Sequence, residues 1–433
     1  MSFLDELEWR GLIQDCSDRE GIQTLKAGDL FYCGFDPTAT SLQAGNLVPI
    51  ISMARLAQAG LKPIVIFGGA TGAIGDPSGK SEERNLLGRE TIDANIARQS
   101  EQMQRIFSNL GHEPEFTNNF DWLASFSLLD FLRDVGKHYT VNWMLAKESV
   151  KQRIEGGGLS FTEFSYMLLQ GYDFYHLHHT RGLKLQIGGS DQWGNLVSGL
   201  ELIRRKCGGE AYALTFPLVT DSDGKKLGKT EAGAIWLDPE RTSPYQFHQY
   251  WLNVSDDDAI RFLKMFTFLT RDEIDTLAQN THEAPEERAA QSALADALCD
   301  IVHGTEATVL AKRSAEVLFG GSLDGLAERD LLSIFSHVPS SSIARGEIDQ
   351  CSFVDVLVQS GLASSKGEAR RLVKNGGAYL NNERVSDAEL SMASVENTDA
   401  NLFVLRSGKK KYHLPTALHG NMLVLILVID LGL

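Results

Sequence analysis

Several stretches of this sequence carry residue types that could act on a bound ligand. In LKLQIGGSDQWGN, Leu183–Asn195, a glycine pair precedes Asp191 and Gln192. The glycines let a ligand approach the backbone, the carboxylate matches sugar hydroxyls, and the amide can donate or accept. In FTEFSYMLLQGYDF, Tyr166, Gln170 and Asp173 recur at i, i+4 and i+7, so one helical face presents all three. A glycine-rich loop, GGATGAIGDPSGK, holds Asp76 and Lys80, and DSDGKKLGKT holds Lys226 and Lys229. The glycine loop is not a P-loop, because the glycine required five residues before Gly79 is Ile74. By type alone each stretch also has a plainer reading: a capped turn, an ordinary helix surface, a solvated loop.

The elements that would position these residues follow from periodicity. Leu183, Leu185 and Ile187 alternate with Lys184 and Gln186, a strand, and a helix capped by Ser190 or Asp191 is expected next. Other strands are expected at Leu30–Phe35 and Lys62–Gly68. Helices are expected over residues 3–14, 46–60, 91–110, 127–135, 161–174 and 191–206. Strands alternating with helices predict an α/β domain with a parallel sheet, whose ligands collect beyond the strands' carboxyl ends. That domain is expected to span 1–236. A helical domain over 237–340 and a small domain over 350–414 would follow, with Gly320–Leu326 and Val338–Gly346 as linkers. The tail, 415–433, is unassigned. Its seven aliphatics Leu423–Ile429 are too few for a membrane span of about 20 residues, so no membrane partner is expected.

The 433 residues carry a net charge of −16, which disfavours general attraction to nucleic acid. Between Ser352 and Leu414, however, nine basic side chains stand against seven acidic ones, leaving −18 on the remainder. Such a module on an acidic body suits local RNA contact. The five cysteines are odd in number and widely spaced, predicting neither disulfides nor a zinc site. With an acidic N-terminus that lacks an apolar core, this points to the cytoplasm.

Taken together, Tyr32–Ala39 (YCGFDPTA), Gly68–Lys80, Phe161–Phe174, Gln186–Asn195 and Lys226–Thr230 (KLGKT) resemble bacterial-type tyrosyl-tRNA synthetases of class I, over about Leu4–Leu414. The resemblance implies a Rossmann-like catalytic domain, an α-helical anticodon-contacting domain and a small α+β RNA-binding domain of ribosomal-protein type. It further implies tyrosine activation by ATP, with Mg2+ accompanying the nucleotide, transfer to tRNA(Tyr), and a homodimer; no metal site on the protein is expected. Tyr32 and Asp173 match positions that hold the substrate phenol, Asp76, Tyr166 and Gln170 those around its ammonium group, and Gln192 a contact to its carboxylate. On the ATP side the resemblance implies Cys33, Gly34, Asp36, Thr38, Gly45, Gly189 and Asp191. Lys80 and Arg84 look like contacts to departing pyrophosphate, and Lys226, Lys229 and Thr230 belong to a KMSKS-like loop.

One motif departs from the family pattern. Where class I enzymes carry His-x-Gly-His, this chain has Gln43-Ala44-Gly45-Asn46. Gln43 and Asn46 can donate hydrogen bonds to phosphate but cannot become cationic. In the small domain Ser365, Lys366, Arg370, Arg371 and Lys374, with Lys409, Lys410 and Lys411, are expected to face RNA phosphates. Two rivals stand beside this reading: the tryptophanyl sibling, which shares the fold, and an RNA-binding paralogue with a decayed site, suggested by Gln43 and Asn46.

Overall fold

The structure, a computed structural model, describes residues 2–79, 86–156, 158–230, 233–323, 326, 331–332, 334–335, 338–395, 402–408 and 411–418. The chain divides into two compact units, 1–242 with 246–305, and 243–245 with 306–433.

The first unit is built on six strands: β1 Asp15–Cys16, β2 Leu30–Phe35, β3 Lys62–Phe67, β4 Glu115–Asn118, β5 Leu185–Gly189 and β6 Tyr212–Phe216. Their order is β1-β6-β5-β2-β3-β4. β2 to β6 run parallel, and β1 lies antiparallel on β6. Ile64, Val65, Leu185 and Ile187 are buried, as expected of strands covered on both faces. From β2 the chain proceeds to β3 and β4 on one side, while β5 and β6 lie on the other. This reversal opens a crevice beyond the carboxyl ends of β2 and β5.

The helix Phe161–Arg181 carries the i, i+4, i+7 face. Ser160 and Glu163 close its first turn as a reciprocal capping box. The Glu163 carboxylate also takes a buried bidentate pair from Arg153, at 2.9 and 2.8 Å. The following helix, Trp193–Cys207, is not capped by Ser190 or Asp191 as the sequence suggests. A 3-10 turn over Ser190–Gln192 intervenes, with no side-chain cap on either element. The turn directs Asp191 to the strand end rather than to the helix amides.

The helices Asp256–Phe266, Arg271–Glu283 and Ala289–His303 fall in the same compact unit as the sheet. The reason is packing. Leu294, Leu298 and Val302 are fully buried, and the helix Arg89–Asn109 reaches across to Val302 and Ile301 carbonyls through Arg105 and Asn109, both at 3.1 Å. The same unit holds a short antiparallel pair, β7 Lys229–Thr230 and β8 Gly233–Ala234.

The second unit contains β9 Ser340–Ala344, β10 Ala378–Leu380, β11 Glu383–Arg384, β12 Leu405–Ser407 and β13 Lys411–Leu418, in the order β11-β10-β12-β13-β9. The helices Phe353–Gln359 and Lys366–Lys374 contribute Phe353, Val356, Leu357 and Val373 to its core. Two boundaries move. The segment read as a linker, 338–346, contains β9, and Pro415–Leu418 of the supposed tail continue β13, pairing parallel with Ser341–Ala344. Serines read as linker, yet strand pairing uses the backbone alone. Leu423–Ile429 lie outside the described residues. Among the described residues no helix is long and apolar enough to cross a membrane.

Candidate active site

A cavity of about 490 Å³ opens at the crevice beyond β2 and β5. β2 lines it with Tyr32, Cys33 and Gly34, the loop after it with Asp36 and Thr38, and the next turn with Gln43, Gly45 and Asn46. Asp76 comes from the glycine-rich loop, Tyr166, Gln170 and Asp173 from the helix Phe161–Arg181, and Gly189, Asp191 and Gln192 from the end of β5. Lys226 and Lys229 complete the wall. Residues spread across two hundred positions therefore meet in one space. Thr230 has its backbone in β7, while Lys80 and Arg84 lie outside the described residues.

At the deep end Tyr32 is 1% exposed, its ring edge-on to Phe174 at 5.6 Å, and its hydroxyl has no hydrogen-bond partner among the described residues. Asp173 is 3% exposed. Its Oδ1 accepts from Trp122 Nε1 at 2.7 Å and its Oδ2 from Asn119 Nδ2 at 3.0 Å. Burial pushes the Asp173 carboxyl up to about 7; the two N–H donors pull the other way, and the Asp36 charge adds to the rise. Sequence reasoning missed both donors. The local sequence holds the polar pair Asn118-Asn119, but nothing in it reveals that this segment ends beside Asp173.

Nearer the mouth, Asp36 is fixed by Tyr166 Oη at 2.8 Å and Thr71 Oγ1 at 2.8 Å. Gly68 is required there, since a Cβ would stand 2.0 Å from Asp36 Oδ1. Asp76 accepts from the Ser78 amide at 2.9 Å and from Gln192 Nε2 at 2.5 Å, while Asn195 Nδ2 donates to Gln192 Oε1 at 3.1 Å. Asn195 too was not anticipated. Gln170 Oε1 is buried without a hydrogen-bond partner among the described residues. Burial and neighbouring Asp76 raise the Asp191 carboxyl. Burial pushes the Cys33 thiol up to about 12, so it stays protonated and unreactive.

Gln43, Gly45 and Asn46 sit at the start of the helix Leu47–Gln58, where backbone amides and the helix dipole favour an anion. The backbone N–H of Gln43 donates to Asn46 Oδ1 at 2.9 Å, so the Asn46 NH2 is not the group engaged in this contact. Residues Lys226–Lys229 form a turn leading into β7, close to this segment: Ala44 donates to the Ile235 carbonyl at 2.9 Å, and Ile235 to that of Gly228 at 2.7 Å.

In the second unit, Ser365 caps the helix Lys366–Lys374. Lys366 is paired with Asp355 at 2.5 Å and Arg370 with Glu389 at 3.0 Å. The lysine holds the Asp355 carboxyl down at about 2. Arg371 and Lys374 are exposed and have no ion pair among the described residues. Lys411 opens β13, and Lys409 and Lys410 lie outside the described residues.

This sheet, its switch-point cavity and the two-lysine turn define a class I aminoacyl-tRNA synthetase, and residues 29–320 match the family described as tRNA synthetases class I (W and Y). Residues 330–415 match the tyrosine–tRNA ligase SYY-like C-terminal domain. The chain is 49% identical over 419 residues to the tyrosine–tRNA ligase of Bacillus caldotenax, covering 96% of this chain and 99% of that one. It is 48% identical over 420 residues to that of Roseiflexus castenholzii, covering 95% and 99%. A C-terminally truncated mitochondrial tyrosyl-tRNA synthetase of Aspergillus nidulans superposes with a TM-score of 0.67 at 32% identity, over 73% of this chain and 94% of that one. A Plasmodium falciparum tryptophanyl-tRNA synthetase, at 13% identity and a TM-score of 0.51, shares the fold alone. The chain belongs to the tyrosine–tRNA ligase family.

The raised Asp173 carboxyl has a consequence for stability. The folded state holds its proton up to about pH 7, whereas the unfolded chain releases it near 4. Folding is therefore unopposed at this group below pH 4 and is opposed, by up to ~4 kcal/mol, once pH exceeds 7. Urea unfolding should show Asp173→Asn gaining on the parent protein between pH 5 and pH 9. A difference that does not change with pH contradicts the burial of a titrating carboxyl.

Proposed function

We propose that the cavity residues divide the work of a tyrosine–tRNA ligase among themselves. Tyr32 and Asp173 grip the substrate phenol, the tyrosine hydroxyl donating to one carboxylate oxygen and accepting from the Tyr32 hydroxyl. Gln170 Oε1, Asp76 and the Tyr166 oxygen surround the ammonium group, and Gln192 holds the carboxylate. The observation that carries this reading is the buried, unpartnered Tyr32 hydroxyl in the same cavity as the Asp173 carboxylate. A phenol satisfies it; a phenyl ring leaves it bare, at a cost of about 1–3 kcal/mol. Tyrosyl-tRNA synthetases are the usual illustration of this kind of selectivity.

ATP lies toward the mouth, its ribose on Asp191 and the cavity-lining backbone at Gly34 and Gly189, with Cys33, Asp36 and Thr38 alongside. A tyrosine carboxylate oxygen attacks the α-phosphorus in line. The P–O bond to the β-phosphate breaks, and pyrophosphate departs with the electron pair. No protein nucleophile is needed; positioning and charge stabilisation supply the rate. Gln43, Gly45 and Asn46, with the amides of their helix start, hold phosphate oxygens, and Lys226 and Lys229 meet the developing negative charge. A hydroxyl of the tRNA's terminal adenosine then attacks the adenylate carbonyl, losing its proton as AMP leaves. In this reading Mg2+ accompanies the ATP phosphates.

Exchange of labelled pyrophosphate into ATP tests the assignment. Tyrosine should support it, with phenylalanine and tryptophan near background. Tyr32→Phe should lower kcat/KM for tyrosine roughly ten- to a hundredfold while leaving phenylalanine little changed. Gln43→Ala should lower turnover by about tenfold across pH 6 to 8, with no imidazole inflection. Undiminished exchange by Gln43→Ala refutes its phosphate contact, and equal use of tyrosine and phenylalanine refutes the pocket.

For the second unit we infer tRNA phosphate contact through Arg371 and Lys374, with Lys366 and Arg370 exchanging their carboxylate partners for phosphate. Replacing Arg371 and Lys374 with alanine should reduce the slope of log affinity against log salt by about 2, with adenylate formation unchanged. An unaltered slope excludes them.

We also infer a homodimer. Leu128, Leu129, Val141 and Phe161 are 60–77% exposed, apolar side chains on one stretch of the first unit. Sedimentation should give the dimer for the parent and monomer for Phe161→Asp; a monomeric parent overturns it. A reducing, cytoplasmic setting suits five cysteines that all remain free thiols.

A further inference from the structure

Among the described residues, one side chain ties the turn bearing Lys226 and Lys229 from outside. The Gly228 amide donates to the hydroxyl oxygen of Tyr250 at 3.0 Å. Tyr250 stands on the helix Pro244–Leu252, its ring 4.9 Å from that of the fully buried Trp251 and at 77° to it, so the hydroxyl is presented from a rigid base. Gly228 has φ +76, and a Cβ there would stand 2.8 Å from that of Ala44. The turn thus rests directly against the Gln43–Asn46 segment, in a conformation and at a spacing that exclude a side chain. Backbone bonds anchor its two ends: Leu227 donates to Val219 at 3.1 Å and Ile235 to Gly228 at 2.7 Å. On either side of the buried pair Leu227-Gly228, both lysines are exposed and line the cavity.

We propose that Tyr250 is a positioning residue for the lysine turn: its hydroxyl oxygen holds the Gly228 amide and so keeps Lys226 and Lys229 at the cavity before ATP arrives. This rests on the reading of those lysines as phosphate contacts. The phenol is suited to the task because its proton is firmly held. Burial raises it, and the Asp221 and Asp258 carboxylates act the same way, while the amide it accepts works in the other direction. A neutral oxygen offers lone pairs to an amide without placing a negative charge beside the phosphate site. A turn already docked does not have to be ordered when the nucleotide binds, and that ordering would otherwise reduce the gain from each lysine.

The test is Tyr250→Phe in the full chain, which keeps the ring against Trp251 and removes only the oxygen. Trypsin should cut the free variant after Lys225, Lys226 or Lys229 roughly three- to tenfold faster than the parent, the scale of one lost hydrogen bond. In pyrophosphate exchange its turnover should fall by a similar factor, with KM for tyrosine unchanged. Cleavage within about twofold of the parent overturns the proposal, as does faster cleavage throughout the chain with a lowered melting temperature, which marks general loosening. Lys226→Ala and Lys229→Ala serve as a separate arm. If both leave exchange undiminished, the phosphate role of the lysines fails, and the trypsin comparison still decides whether Tyr250 holds the turn.

Discussion

Asp173 places a carboxyl group where water does not reach, and the remaining features of the deep pocket answer that fact. An ionised carboxylate at 3% exposure is costly unless donors surround it. Asn119 and Trp122 supply one hydrogen bond to each oxygen, which orients the group and limits the rise of its pKa to about 7. Each oxygen retains a lone pair. The neighbouring Tyr32 hydroxyl, itself buried and without a partner among the described residues, needs an acceptor or a donor of its own. In the function proposed above, a phenol entering between them would satisfy both at once. Selectivity in this account is thus a property of unmet hydrogen-bonding capacity, stored in a rigid apolar surround that includes Phe174 and Ile66.

The sheet brings these groups together. Parallel strands send their carboxyl ends to one rim, and the order β5-β2-β3 puts the topological switch between β5 and β2. Register finishes the placement: Tyr32 stands opposite Gln186 and Ile64, and Cys33 opposite Ile187 and Val65. The loops after β2, β3 and β5 then deliver Asp36, Asp76 and Asp191 to the rim. Three carboxylates are gathered there, and Lys226, Lys229 and the segment before the helix Leu47–Gln58 line the same cavity.

Much of this was legible in the residues. The face of Tyr166, Gln170 and Asp173 is a consequence of helical period and could be read directly. The strand follows from the alternation of Leu183, Leu185 and Ile187, but the glycine pair that reads as the turn after it forms the last two residues of β5. What could not be read was partnership between distant segments. Nothing local to Asn119 or Trp122 reveals that β4 ends beside Asp173, and the role of Asn195 depends on where Gln192 turns. Asp191 failed as a predicted helix cap because a 3-10 turn intervened, a distinction of backbone angle rather than of residue type. Ser340–Ala344 looked like linker because its side chains are small and polar, but its pairing is made by backbone groups with β13, some seventy residues later. The helices after Asp256 carried the expected amphipathic pattern; the pattern does not say against which unit the apolar face is buried.

The most direct test of the pocket is to count protons as tyrosine binds. Calorimetric titration of the ATP-free protein with tyrosine at pH 6.5, in two buffers of different ionisation enthalpy, measures that number. A carboxyl that titrates near 7 alone, and must accept a phenol's hydrogen bond when occupied, should release a substantial fraction of one proton per tyrosine bound, and Asp173→Asn should abolish the release. Binding without proton release, or with equal release by the variant, would contradict a buried carboxylate as the partner of the phenol.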